Sequence, residues 1–328
     1  MRKRRAFTLV ELVSAVAALA VMIALGGVVF QHAVEGYRKT KANAEILQKY
    51  ITITQQLRDD FSGLVVDMPV KMSWFDNETT TVNPDTDEPR LLEETRADSI
   101  VFFATGDFQT TQIQDSSKVI RSNVAMIQYC IATKGSGQNE GPENPLRKAL
   151  LRRQMVLTSS EDFESDANVP DASSLEDVTK DDELEYEAIY GSLAGLRADM
   201  TETADDVNSL DDRLAFEPNS YPGQMSNLLA QGVYDFKIKI IGSDSWAGSD
   251  YQWLDKDSPY SGSGGINFPQ IAFPGGTEAR PTAIKFTFRV CDSKGVVEEY
   301  DYVEEELKPG RLFTYIIPIK ENLVGSVQ

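Results

Sequence analysis

From Phe7 to Phe30 the chain runs for 24 residues whose only charge is Glu11. No other stretch so narrows the folds open to it. As a helix rising about 1.5 Å per residue, this run is about 36 Å long, enough to cross a hydrocarbon layer of about 30 Å with some tilt. Lipid offers no hydrogen bonds, so a single span of this kind has to be helical. Arg2, Lys3, Arg4 and Arg5 precede it and predict a cytoplasmic amino terminus, with everything after Phe30 carried across the membrane. Two other readings of the run exist. A secretory signal would use Ala24-Leu25-Gly26 as its cleavage site, but its apolar core is shorter and does not open on an acid. Lys3-Arg4-Arg5-Ala6-Phe7 also has the look of a twin-arginine export signal. A plain anchor accounts for the length but not for Glu11, because a carboxylate in an apolar run is costly and marks a function.

The rest of the composition removes whole classes of chemistry. Against 32 Lys and Arg stand 51 Asp and Glu, a net charge of −19 that repels a phosphate backbone and excludes nucleic acid as a partner. The single histidine, His32, and the two cysteines, Cys130 and Cys291, leave no Cys/His metal cluster and make any His-dependent triad rest on His32 alone. With no catalytic set in view, the chain is expected not to be an enzyme and to need no cofactor. From Glu161 to Asp212 lie 18 acids and two bases, Lys180 and Arg197, so this stretch holds −16 of the total. It reads as an insertion over about residues 161–214. Its first part, Glu161 to Glu187, has too few apolar residues to order itself. In its second part Leu193, Leu196, Met200, Ala204, Val207, Leu210 and Leu214 make a helical stripe. The clusters Asp181-Asp182-Glu183 and Asp205-Asp206 are candidate Ca²⁺ ligands, although no twelve-residue calcium loop surrounds them.

Beyond Phe30 the helical periodicity does not break. Val34, Tyr37, Lys41, Ala44, Leu47, Tyr50, Thr54, Leu57 and Phe61 recur at threes and fours, and no proline precedes Pro69. One helix is therefore predicted from Phe7 to about Phe61, spanning at 7–30 and amphipathic at 31–61, with a possible kink at Gly26-Gly27. The remainder, 62–328, reads as a head of short strands: Ser99 to Thr105, Ala125 to Thr133, Ala149 to Leu157, Val233 to Ile241, Ala283 to Cys291, Val296 to Val303 and Leu312 to Pro318. Ile284, Phe286, Phe288 and Val290 alternate with Lys285, Thr287 and Arg289, which predicts one wet face and antiparallel pairing. Asp292-Ser293-Lys294-Gly295 reads as a hairpin turn, and Asn77 to Pro89 and Ser258 to Gly265 read as loops. The expected fold class is α+β, a long amino-terminal helix packed on antiparallel sheet.

Arg5-Ala6-Phe7-Thr8-Leu9-Val10-Glu11-Leu12 resembles the cleavage and methylation motif of type IV pilins and of the pseudopilins of type II secretion systems. The resemblance implies that residues 1–6 are a leader, cut between Ala6 and Phe7 by prepilin peptidase, and that the new amine of Phe7 is methylated. It implies also that Glu11 serves filament assembly. The family usually has Gly where this chain has Ala6. Among members, the segment order is most similar to the J-type minor pseudopilin, through Gln56-Leu57-Arg58-Asp59-Asp60-Phe61, Ile127-Gln128-Tyr129, Leu150-Leu151-Arg152-Arg153, Leu228-Leu229-Ala230-Gln231-Gly232-Val233 and Pro281-Thr282-Ala283-Ile284-Lys285-Phe286. A K-type tip subunit lacks the acid that Glu11 supplies.

The implied function is structural: a minor subunit of a type II secretion pseudopilus or pilus-like filament. Its implied place is the bacterial inner membrane, with the head in the periplasm. Its implied partners are other pseudopilins or pilins, the peptidase and the inner-membrane assembly platform. In lipid Glu11 needs a cation, and the amine of a neighbouring Phe7 would supply one and set register. The alternative is a membrane-anchored extracytoplasmic binding protein that uses the acidic insertion to capture a cation or a basic partner. Cys130 and Cys291 both fall in β-patterned runs of an oxidising compartment, so a disulfide forms if their Cα atoms come within about 7 Å.

Overall fold

The computed structural model describes residues 9–65, 68, 70–73, 76–82, 89–110, 119–134, 146, 148–159, 188–190, 215–216, 228–242, 253, 270–272, 281–301 and 306–319. Helix α1 runs unbroken from Leu9 to Ser62, through Gly26-Gly27. The described part of the head is β, so the class is α+β as expected.

The larger sheet has eight strands. Its central path joins β11 (Gln270–Ala272), β1 (Lys71–Ser73), β4 (Ser99–Gln109), β5 (Arg121–Lys134), β6 (Lys148–Thr158) and β7 (Ala188–Tyr190). On it β8 (Ala215–Phe216) pairs β5 and β9 (Leu228–Gln231) pairs β6. A second sheet orders β10 (Val233–Gly242), β12 (Pro281–Val290) and β15 (Arg311–Pro318), all antiparallel. Two ribbons complete the described strands: β2 (Asp76–Val82) with β3 (Pro89–Arg96), and β13 (Glu298–Asp301) with β14 (Glu306–Pro309).

Both sheets send one set of alternating side chains under the helix. Ala42, Ile46, Ile53, Leu57 and Phe61 of α1 share a buried core with Ile100, Phe102, Ile127 and Tyr129 of the larger sheet and with Phe236, Ile238, Ile284, Phe286 and Phe288 of the smaller. Rings lock the contact: Phe61 lies 4.2 Å from Phe102 and Tyr50 stacks on Phe313 at 4.3 Å, centroid to centroid. Removing large apolar side chains from water drives this packing, at about 2 kcal/mol per Leu or Phe. The larger sheet is buried on its other face too, where Val101, Phe103, Met126, Met155 and Leu157 cluster with Met68.

The two sheets are stitched where β10 bulges between Tyr234 and Lys237. Asp235 there has φ 52°, rare for a residue with a side chain. The buried Asp98 holds the irregular backbone: its N–H donates to Phe236 C=O at 2.9 Å and its Oδ2 accepts Ile238 N–H at 2.6 Å.

Several expectations need correction. Asp292 to Gly295 does turn, with Gly295 N–H donating to Asp292 C=O at 3.2 Å, but it joins no hairpin. β12 pairs with β10 and β15, while the chain after the turn enters the separate β13–β14 ribbon. Arg289, assigned to a wet face, is only 1% exposed. Asn77 to Pro89 is not simply a loop, since β2 takes its start and β3 begins at Pro89. Pairing is not uniformly antiparallel: β7 and β8 join in parallel. β7 belongs to the acidic insertion, so that insertion adds a strand to the sheet, with Ala188 buried against Ile120 and Val156. The helical stripe placed at 193–214 and the span 161–187 lie outside the described residues, as does Ser258 to Gly265.

Candidate functional site

Only the last third of α1 belongs to the head. From Leu9 to Ala33 every residue is exposed, and Ala42 is the first buried one. The apolar window of this half has no protein packed on it and has the length and composition of a single membrane span. Glu11 lies in its first turn, where its backbone C=O accepts Ser14 Oγ at 3.0 Å. Ala6 and Phe7 lie outside the described residues.

The side of the helix turned from the head carries a second pattern. Leu12, Val16, Leu19, Ile23, Gly26, Phe30, Ala33, Tyr37, Thr40, Ala44, Leu47 and Ile51 alternate by fours and threes without one charge, and all are exposed. Up to Phe30 such a row means little, because nearly all positions there are apolar. Above Phe30 it is informative: Tyr37 is 71% exposed, Leu47 46% and Ile51 50%, between neighbours such as Glu35, Arg38, Lys39, Glu45 and Gln48. A spacing of 3.5 residues is the seam of helices that wind around one another to the left. The expected amphipathic face merged this row with the true head face. Tyr37, Lys41, Ala44 and Leu47 are exposed, whereas Thr54, Leu57 and Phe61 are buried.

Two polar clusters fix how the helix leaves the head. Near its end the buried Asp60 faces β5 and β6. Arg152 Nε donates to Asp60 Oδ2 at 2.6 Å and Arg152 Nη2 to Oδ1 at 2.7 Å; Gln56 Nε2 donates to Oδ1 at 3.1 Å, and Tyr129 OH also donates to Oδ2. Burial pushes the Tyr129 hydroxyl far above its usual value, and the Asp60 charge adds to the shift. Burial alone would lower the Arg152 guanidinium, but the hydrogen bonds and charge of Asp60 outweigh it and hold the group above its ordinary range. The cross-strand register that sets Tyr129 opposite Arg152 makes this trio.

The second cluster sits about 15 residues back toward the membrane. Lys49 Nζ donates to Cys291 C=O at 2.8 Å and meets Glu45 Oε1 at 3.0 Å. Glu45 accepts Ser293 N–H at 2.8 Å and Ser293 Oγ at 3.1 Å. Burial opposes ionisation of Glu45, and Lys49 and Ser293 together still hold its carboxyl below the usual range. The Asp292 carboxylate ties the loop itself, accepting N–H from Lys294 at 3.1 Å, Val296 at 2.9 Å and Val297 at 3.1 Å. Those bonds overcome burial and depress its pKa.

No disulfide joins Cys130 to Cys291. Cys130 lies in β5 against Leu151, on the face away from the helix, while Cys291 ends β12 of the other sheet. Burial, with the Asp292 charge beside it, pushes the Cys291 thiol up to about 12. Asp181, Asp182, Glu183, Asp205 and Asp206 lie outside the described residues, and among the described residues no group of three or more His, Cys, Asp or Glu is placed to hold a metal. His32 is exposed on the helix. Trp253 is half-buried, with Lys285 Nζ 4.5 Å from its ring centroid. The chain matches no protein-family model, no curated protein and no solved structure.

Proposed function

We propose that the chain is a structural, non-catalytic minor subunit of a pseudopilus or pilus-like filament, most similar to the J-type minor pseudopilin. It is cut between Ala6 and Phe7, methylated on Phe7, and assembled from the membrane through its amino-terminal helix. The observation that carries this reading is the uncharged seam from Ala33 to Ile51 above the span. An anchor that only tethers a head needs a charged, soluble stalk there, since exposed apolar rows call for a partner. A partner helix running alongside would cover the seam in lipid and above it alike. Glu11 supplies the other half of the argument: a carboxylate facing lipid is stabilised by a cation, and the Phe7 amine of an adjacent subunit is one.

The test compares the full chain with two variants, Glu11→Leu and Leu47→Lys/Ile51→Lys, expressed with the other filament subunits of its host. Leu47 and Ile51 face away from the head, so the second variant is expected to melt within a few degrees of the unmodified protein. Both variants should insert in the membrane but fail to co-purify with the partner subunits. Co-purification at the unmodified level by both would refute the reading.

A further inference from the structure

Between the candidate span and the head lies a length of helix with neither lipid core nor protein around it. Residues 31–41 carry Arg38, Lys39 and Lys41 against Glu35 alone, with His32 beside them. This is a net positive collar on a chain of −19. Lys39 is used locally, its Nζ 2.8 Å from Glu35 one turn away. Arg38 and Lys41 are exposed and make no ion pair or hydrogen bond among the described residues. They share a side of the helix with Phe30, Val34 and the outward-facing Tyr37, as positions 30, 34, 37, 38 and 41 require at 100° per residue.

Height above the bilayer decides what these cations meet. If Phe30 closes the span, Arg38 lies about 12 Å and Lys41 about 16 Å further along the axis. Side chains on a helix lean toward its amino terminus, which here is toward the membrane. Long basic stems therefore reach back several ångströms to the phosphate layer, while Tyr37 sits at the depth where aromatic rings with a polar tip collect. Within residues 31–41 the one opposite charge is Glu35, which Lys39 already meets.

We infer that residues 31–41 are a docking collar for anionic phospholipid headgroups on the leaflet that faces the head, with Arg38 and Lys41 as the contacting cations. The inference rests on the reading of residues 7–30 as a membrane span. It goes beyond filament assembly, because it gives the isolated subunit a defined height and lipid preference before any partner arrives.

The test uses the full chain with photoreactive benzoylphenylalanine in place of Tyr37, inserted in vesicles of phosphatidylcholine and phosphatidylglycerol at three to one. Mass spectrometry reads which lipid is captured. A cation near an anionic surface strengthens attachment about fivefold, so two should enrich phosphatidylglycerol adducts roughly twenty-five-fold over the bulk ratio. The variant Arg38→Gln/Lys41→Gln, and the unmodified chain in molar salt, should fall to the bulk ratio. A control, Arg121→Gln/Lys294→Gln, alters exposed cations of the head and should change nothing. Adducts at the bulk ratio in the unmodified chain, or enrichment that survives in the Arg38/Lys41 variant, overturn the collar while leaving the span intact. Because the collar is assigned to the isolated subunit before a partner covers the seam, adducts that join two protein chains in place of lipid overturn it as well. A chain that alkaline carbonate strips from the vesicles, with no lipid adduct at all, refutes the span and the collar together.

Discussion

The trio of Asp60, Arg152 and Tyr129 gives the sharpest energetic test. Asp60 accepts two bonds from Arg152, one from Gln56 and one from Tyr129, in a site where the two charged side chains are 4% and 16% exposed. Asp60→Leu leaves the guanidinium buried without its counter-charge. Breaking a buried pair costs about 3–5 kcal/mol, and the partial exposure of Arg152 puts the cost near about 3 kcal/mol. Arg152→Met orphans the carboxylate and should cost about the same. The double variant removes both charges and leaves the Tyr129 hydroxyl and the Gln56 amide unmatched, together with the half-buried Gln154 Oε1 that Arg152 Nη1 had met at 3.1 Å, again about 3 kcal/mol. The single costs therefore fail to add, with a coupling of about 3 kcal/mol, at the top of the range for neighbouring residues. Urea unfolding of the full chain in non-ionic detergent, followed by tryptophan fluorescence, measures all four corners of the cycle. Costs that add to within about 0.5 kcal/mol would refute the claim that this trio is one unit.

Other outcomes follow from the remaining features. Intact-mass measurement on the membrane-extracted protein should find a chain that begins at Phe7 with one added methyl group, and loss of the leader's four cations changes the net charge from −19 to −23; a chain that still begins at Met1 would sink the processing claim. Asp292 has a folded pKa below its unfolded one, so its contribution is present above the unfolded value of about 3.9 and is lost as pH falls through the folded value. Asp292→Asn should therefore destabilise the head by about 1 kcal/mol at pH 7, with the difference from the unmodified protein shrinking below about pH 4; an undiminished gap at pH 3 in thermal melts would contradict the assignment.

What could be read from the residues divides along physical lines. The strand around Phe286 was legible by its two-residue alternation, and the one around Ile127 as a nearly continuous apolar run, because its middle is buried on both faces. Three-residue strands such as Lys71–Ser73 offer no period to detect, and the Thr-rich β2 offers no apolar one. The hairpin assigned at Asp292 failed because a turn reports local geometry and not which strands it joins. Arg289 alternates correctly with Phe288 and Val290, but alternation names a face without saying that the face is open. On α1 two stripes at nearly the same period overlap, so a single list at threes and fours drew from both. The Asp60 trio was out of reach for a different reason: Tyr129 and Arg152 are distant in the chain from Asp60, and only the β5–β6 register and the helix end bring them together. Phe7 and Glu11 were legible as a motif alone, and the pairing proposed for them would lie between subunits.

The two clusters that hold α1 also make it a lever. One grips near residues 45–49 and the other at Asp60, a separation of about 20 Å along the axis, whereas Leu9 stands about 57 Å beyond the nearer grip. The helix is thus supported over a short arm and free over one nearly three times as long. A displacement of about 1 Å at Asp60, pivoting on Lys49, swings the far end by about 3 Å, roughly half the width of a helix pitch. Conversely, sideways traction on the membrane end returns to Asp60 as nearly threefold force, borne by the bidentate contact with Arg152. With residues 7–30 in a bilayer as proposed, such a joint would convert small rearrangements of the head into changes of tilt, and it makes the Asp60 end the place where mechanical load is first felt.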